Sequence, residues 1–173
     1  MSTDSVATPI GTIGLRDEAE SDADFLYGLF AARKLAEMQA MPLDEAGKEQ
    51  LLRMQYRSMS YTYRTQFPNA RFLVLVLDNE PIGRLIVDTD AERVYLVDIA
   101  LMPQWHGRGT GQALLQELQR QASALGVPAT GLPEAGVCSS RFWPTDSRPA
   151  TFGKFESVNW PRSCGATTPS SLA

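Results

Sequence analysis

The stretch Asp98–Leu115 reads DIALMPQWHGRGTGQALL and joins an apolar strand to an amphipathic helix through a glycine-rich turn. Pro103 stops the strand, because proline cannot donate to a sheet ladder. Gly107, Gly109 and Gly111 then lead into the helix. The first N–H groups of a helix lack partners inside it, and the positive end of its dipole lies there. A glycine turn at this place therefore favours binding of a phosphate group by backbone amides.

Hydrophobic periodicity predicts the elements around this stretch. The amphipathic helix extends over Gln112–Leu125, and Gly126 is expected to end it. Three short apolar runs follow one another before the turn, which predicts an antiparallel meander. The predicted strands are Ile10–Arg16, Arg71–Leu77, Ile82–Val87 and Arg93–Met102, and two earlier helices are expected, one capped by Ser21 or Asp22 and the other by Asp44.

Two familiar phosphate-binding loops do not match the glycine turn. A P-loop needs Gly-Lys-Ser/Thr, which does not follow, and position 112 is Gln where a dinucleotide fingerprint needs Gly. The preceding meander is also not a βαβ unit, which excludes a Rossmann topology. The remaining interpretations are a tight connection without any ligand and a phosphate site of another family.

The segment HGRGTG, residues 106–111, resembles the Arg/Gln-x-x-Gly-x-Gly/Ala signature of the GNAT superfamily of N-acetyltransferases. His106 stands where the family has Arg or Gln. The order of elements over about Thr12–Val127 resembles the same family. The resemblance implies an α/β (α+β) fold, a mixed and mostly antiparallel sheet with helices on both faces. It also implies acetyl-CoA as co-substrate, without a metal, and transfer of the acetyl group to an amine of a small molecule or peptide.

The resemblance also assigns roles to residues of the turn. In the family, loop amides bind the pyrophosphate, a role that falls on residues 107–111. Main-chain groups at the end of the preceding strand meet the pantetheine arm and the thioester carbonyl. The residues to which coenzyme contacts are assigned in this way are Leu101, Met102, His106, Gly107, Arg108, Gly109, Thr110, Gly111 and Gln112.

Asp98 is the candidate for the base that takes a proton from the amine. It is a lone acid within an apolar strand, and burial is expected to raise its pKa. The alternative is a structural, hydrogen-bonded aspartate. Tyr95, three residues earlier, is expected on the opposite face of the strand. His106 is open to two interpretations, a contact at the rim of the phosphate site or a base.

Composition excludes several classes of protein. The 173 residues are 43% hydrophobic and 21% charged, which is typical of a single folded domain. A net charge of -4 argues against nucleic acid as a partner. Two cysteines and one histidine provide neither a disulfide framework nor a zinc site. With no apolar run of membrane-spanning length, no membrane partner and a cytoplasmic location are expected. The oligomeric state stays open, with a homodimer among the alternatives.

The chain changes character after Gly126. We expect a flexible segment over residues 1–9, a GNAT-like domain over residues 10–132, and an atypical segment over residues 133–173 in which prolines interrupt every element. The strand, helix and tyrosine that the family places after this helix are not recognisable, and Cys138 or Ser139 could replace the tyrosine as proton donor to the thiolate. A shifted reading frame near codons 128–134 would explain the change. The alternative function is a catalytically impaired module that binds CoA.

Overall fold

The computed structural model describes residues 5–131, which form one six-stranded sheet and three α-helices. Single 3-10 turns lie at Glu20–Asp22 and Pro103–Trp105. The strands are β1 (Ser5–Thr8), β2 (Gly11–Asp17), β3 (Arg71–Leu77), β4 (Glu80–Thr89), β5 (Val94–Leu101) and β6 (Ala129–Thr130), and the helices are α1 (Ala23–Gln39), α2 (Glu45–Gln66) and α3 (Thr110–Leu125).

The strands follow chain order across the sheet, from β1 to β6. Each of β1 to β5 pairs antiparallel with the next strand. β6 pairs parallel with β5 after the crossover through α3. The sheet is therefore mixed and mostly antiparallel, and the predicted meander of β3, β4 and β5 is confirmed.

α3 covers one face of the sheet. Leu114, Leu118 and Ala122 recur at intervals of four, which places them on one side of the helix, and all three are buried in the same core cluster as Leu75 and Leu96. The helix ends as predicted at Gly126, whose φ of 71° is left-handed and whose N–H reaches the Ala122 carbonyl.

α1 and α2 lie on the other face. Leu26, Leu29 and Phe30 of α1 are buried, and Phe30 packs with Leu52 of α2. The predicted cap of α2 is confirmed, because the Asp44 carboxylate accepts the Gly47 N–H at 2.8 Å. Helices therefore cover both faces of the sheet.

The start of the chain differs from the expectation. Residues 5–8 are not a loose terminus but strand β1, whose Val6 is buried beside α3. Asp22 does not cap α1 with its side chain. Its carboxylate accepts the Ala19 N–H at 2.8 Å and binds Arg16 at 2.6 Å. Residues 5–8 form a strand because they pair with β2, although their sequence does not predict one. Asp22 likewise binds Arg16 instead of capping α1.

A β-bulge in β5 corrects the predicted faces of that strand. Ile86 pairs with Asp98, whereas the next residue, Val87, pairs with Leu96, so Val97 is an extra residue. Because of this extra residue, side chains that are three positions apart across the bulge lie on the same face of the sheet. Tyr95 and Asp98 consequently lie on the same α1/α2 face, and the expectation that they point to opposite sides is wrong.

A further strand does follow α3. Ala129 and Thr130 of β6 pair with Val94 and Tyr95, although the strand that the family places after this helix was not recognisable in the sequence. The predictions for residues 133–173, including Cys138 and Ser139, lie outside the described residues. Within the described part, no helix has the length and apolar character that crossing a membrane requires.

Candidate functional site

The glycine-rich turn joins β5 to α3 in three steps. The 3-10 turn at Pro103–Trp105 follows the strand and closes with the His106 N–H on the Pro103 carbonyl at 3.1 Å. Gly107 and Gly109 then have φ values of 70° and 79°, a left-handed backbone that favours glycine. α3 begins directly afterwards at Thr110. The glycines therefore allow the sharp change in chain direction between the end of β5 and the start of α3.

The first turn of α3 presents backbone donors that have no partner in the described part of the chain. The first hydrogen bond of the helix runs from the Ala113 N–H to the Gly109 carbonyl, at 3.0 Å. The N–H groups of Thr110, Gly111 and Gln112 therefore have no acceptor within the helix. The first turn contains no acidic side chain to offset the positive end of the helix dipole. This end of α3 is therefore suited to bind an anion.

The hydroxyl group of Thr110, the first residue of α3, is a second polar group near this end of the helix. The residue is only 1% exposed, and its Oγ1 atom has no hydrogen-bond partner in the described structure. A buried hydroxyl without a partner loses its hydrogen bonds to water and gains none in return. An anion at the first turn of α3 would satisfy it only if binding displaced the atoms that cover the hydroxyl.

The two left-handed glycines differ in their surroundings. A Cβ atom at Gly107 would meet nothing within 4 Å, whereas one at Gly109 would lie 3.0 Å from Cγ of Pro9 in the β1–β2 turn. That turn and the start of α3, including Gln112, line a groove of about 350 Å³. Substitution of Gly109 would therefore disturb the β1–β2 turn as well as the loop.

His106 and Arg108 occupy the rim of the turn. The guanidinium of Arg108 lies over the Trp105 ring, 5.1 Å from its centre, and the residue is exposed. Nε2 of His106 lies 2.7 Å from the Leu101 carbonyl oxygen, and because a carbonyl only accepts, Nε2 carries the proton. His106 thus holds the turn against the end of β5.

The main chain at the end of β5 limits what Met102 can offer to a coenzyme. The Met102 N–H donates to the Ile82 carbonyl at 2.9 Å, and the Met102 carbonyl accepts the Trp105 N–H at 2.9 Å. Both main-chain groups of Met102 therefore make internal hydrogen bonds, which leaves its N–H unavailable to a coenzyme. Alternate residues of a strand direct their N–H groups to opposite sides. The Leu101 N–H consequently points away from β4. On that side of β5, among the described residues, β6 pairs only with Val94 and Tyr95, so the edge at Leu101 is not paired.

Asp98 is buried in an ion-pair cluster. Its Oδ2 atom accepts from Nη2 of Arg84 at 2.5 Å, and its Oδ1 atom lies 3.4 Å from Nη1 of Arg33. Burial alone raises the pKa of Asp98, but the charges of Arg33 and Arg84 outweigh it and lower the pKa below its ordinary value. The expectation of a raised pKa is therefore wrong, and Asp98 is an ionised carboxylate and a weak base.

The two arginines of this cluster were not identified from the sequence. Arg84 lies on β4, Arg33 on α1, and Tyr63 on α2, with the Tyr63 ring centre 5.8 Å from the Arg84 guanidinium. A lone arginine in the apolar segment Ile82–Val87, one strand before a lone aspartate, is a signal of this pairing. Nothing comparable marks Arg33, which is 65 residues away in the chain.

No metal site is present among residues 5–131, since no three His, Cys, Asp or Glu side chains there converge on one point.

Comparison with solved structures gives distant matches. The chain is 22% identical to PaiA N-acetyltransferase of Thermoplasma acidophilum, solved with coenzyme A, over 66% of this chain and 74% of that one, with a TM-score of 0.43. It is 20% identical to RimJ of Mycobacterium smegmatis, solved with CoA-disulfide, over 76% and 68% of the two chains, with a TM-score of 0.49. A GNAT family acetyltransferase from Elizabethkingia anophelis with acetyl-CoA bound is 18% identical over 66% and 60%, with a TM-score of 0.40.

No curated protein sequence matches the chain. The family model described as the acetyltransferase (GNAT) family matches residues 35–135, which include the glycine turn, the whole of α3 and the strand β5. This match spans more than half of the 173 residues. The chain therefore belongs to the GNAT acetyltransferase family.

Proposed function

We propose that this protein is an acetyl-CoA-dependent N-acetyltransferase that acts on an amine of a small molecule or peptide. The observation that carries the proposal is the start of α3, where three N–H groups have no partner among the described residues and the first turn contains no acidic side chain. Membership of the GNAT family supplies the chemistry that such an anion site serves.

The residues of the turn fit the pyrophosphate of a coenzyme. The N–H groups of Thr110, Gly111 and Gln112 would bind its oxygens, and the Thr110 hydroxyl would donate one further hydrogen bond once the atoms that cover it move aside. Gly107 leaves the approach open, since a Cβ atom there would have no described residue within 4 Å apart from its chain neighbours. Arg108, exposed at the rim, would add a positive charge.

The end of β5 would position the reacting carbonyl. Acetyl-CoA supplies an activated thioester, which a neutral amine attacks to form an amide and release the thiol. The Leu101 N–H, directed away from β4, would donate to the thioester oxygen as negative charge develops there. His106 would fix this donor, because its ring binds the carbonyl of the same residue at 2.7 Å.

Asp98 has no place as the base in this proposal. A carboxylate that two guanidinium groups hold in its ionised form gains little by accepting a proton. The amine proton would instead pass to water. This observation also favours a second candidate function, a domain that binds acetyl-CoA as a sensor without turnover.

Isothermal titration of the full chain with acetyl-CoA tests the proposal, with ATP as the control ligand of similar charge. Binding of acetyl-CoA with much weaker binding of ATP is expected. Release of free thiol on mixing with a panel of amines then separates enzyme from sensor. Tight binding without any thiol release would favour the sensor, and absence of acetyl-CoA binding would refute both.

A further inference from the structure

The cluster of Arg33, Arg84 and Asp98 contains more positive than negative charge. Its two arginines and one aspartate sum to one net positive charge on the α1/α2 face of the sheet. The three side chains come from α1, β4 and β5, and Asp98 lies on the strand whose end is the proposed reacting edge. A charge without a partner inside a protein is costly, and such groups are usually paired.

Arg84 alone suffices to neutralise Asp98. The two side chains are 7% and 9% exposed and meet at 2.5 Å, which is the geometry of a strong, charge-assisted hydrogen bond. Arg33 contributes a longer contact of 3.4 Å, and its side chain remains 30% exposed. The charge of Arg33 is therefore the surplus one, and it has a route to solvent.

The neighbours from α2 do not supply a second anion. Tyr63 faces Arg84 with its ring, and burial raises the pKa of its hydroxyl so strongly that the group stays neutral. Tyr56, which also lies near Arg84, and Tyr95 are the other ionisable groups that face the cluster. Among the described residues, these side chains leave the positive charge of Arg33 without a full counter-charge.

We infer that the amine acceptor carries a carboxylate, as a free amino acid does, and that Arg33 binds this carboxylate. This inference rests on the proposed function and names the substrate class. Arg33 would be a specificity residue in contact with substrate, whereas Arg84 is a positioning residue that pairs with Asp98 at 2.5 Å, so that the longer 3.4 Å contact of Arg33 can be exchanged for the ligand. A guanidinium suits this role, because its planar set of N–H groups matches the two oxygens of a carboxylate.

The distances are compatible with a small acceptor. Asp98 and Leu101 are three residues apart on β5, which corresponds to about 10 Å along a strand. A long arginine side chain at one end of this span and a thioester at the other leave room for a molecule in which few bonds separate amine and carboxylate. A free amino acid has these dimensions, whereas a protein N-terminus would have no carboxylate next to the amine.

Matched acceptors test the inference. Glycine, L-alanine and L-glutamate are each compared with the corresponding α-amide, with thiol release from acetyl-CoA as the assay. The acids are expected to have a kcat/KM about tenfold or more above that of the amides, since a hydrogen bond to a charged partner is at stake. The amides have the less basic amines, so a preference for the acids cannot come from easier deprotonation.

Substitution of Arg33 separates specificity from stability. Arg33→Met should lower kcat/KM for the acids about tenfold or more and leave the value for the amides unchanged. Arg33→Lys should restore part of the preference. Arg57→Met, which removes an exposed arginine from α2, is the matched control and should change neither value. Equal losses for acids and amides in Arg33→Met would show a structural role and overturn the inference.

A binding measurement tests whether Arg33 binds carboxylates without relying on turnover. The same acids, but not their amides, should raise the melting temperature of the wild-type protein, and Arg33→Met should abolish this shift. Amides that are acetylated as well as the acids would refute the carboxylate while the acetyltransferase stands. A chain that does not bind acetyl-CoA would refute the proposed function, and the thermal shifts would still decide whether Arg33 binds carboxylates.

Discussion

Replacement of Thr110 by Val should move stability and coenzyme affinity in opposite directions. Valine has nearly the shape of threonine, so the change removes a buried hydroxyl that has no partner and leaves the packing in place. An unsatisfied buried polar group costs about 1–3 kcal/mol. The free protein should therefore gain about 1 kcal/mol, which raises the melting temperature by about 3 °C for a domain of this size.

Loss of the Thr110 hydroxyl should also lower the affinity for acetyl-CoA. If the Thr110 hydroxyl binds a phosphate oxygen, the variant loses one hydrogen bond to a charged acceptor, which contributes about 1.5–3 kcal/mol. Acetyl-CoA should then bind about 10- to 150-fold more weakly. The N–H groups of the turn remain, so binding should be reduced and not abolished.

Urea denaturation and isothermal titration at one temperature measure the two effects. Thr62→Val is the matched control, because the Thr62 hydroxyl donates to the Ser58 carbonyl at 2.9 Å on α2, away from the turn. This control should bind acetyl-CoA as the wild type does. A Thr110→Val variant with wild-type affinity would remove the hydroxyl from the phosphate site, and one with reduced stability would show that the hydroxyl has a partner in the free protein.

The remaining predictions concern the two buried aspartates. Asp98→Asn leaves the Arg84 charge buried and unpaired, so urea denaturation should show a loss of about 3–5 kcal/mol; a stable variant that loses only turnover would instead make Asp98 the base. The hydrogen bond from Arg16 is the main cause that lowers the pKa of Asp22 from 3.8 to about 2. Because the folded pKa is the lower one, this stabilisation is present above about pH 4 and is lost as the pH falls towards 2. Urea midpoints across this range should fall more steeply for the wild type than for Asp22→Asn, and parallel curves would contradict the ion pair.

Elements that carry their own hydrophobic period were predictable from the sequence. The bounds of β3 agree with the predicted Arg71–Leu77, and α3 begins two residues before the predicted Gln112. β1 was not predictable, because its four residues, Ser5–Thr8, have no such period and become a strand only by pairing with β2. The two residues of β6 likewise depend on the edge that β5 offers.

Part of the candidate site was likewise predictable from the sequence, and part was not. The backbone of the turn was predictable, since left-handed residues such as Gly107 and Gly109 leave a glycine signature in the sequence. The environment of Asp98 was not, because its partners are separated from it by 14 residues for Arg84 and 65 for Arg33. Burial was predicted correctly, but the sign of the pKa shift depends on charges that only the folded chain brings together.

The bulge at Val97 connects the two halves of the proposed site. Regular alternation from Leu96, which packs beneath α3, would direct Asp98 to the same face, among leucines. The extra residue instead turns the carboxylate to the face where Arg84 and Arg33 lie. Since Arg33 belongs to α1 and the amides that we propose to bind the pyrophosphate belong to α3, different helices on opposite faces would recognise acceptor and coenzyme. A change on α1 can therefore alter the choice of acceptor while the affinity for the coenzyme is retained.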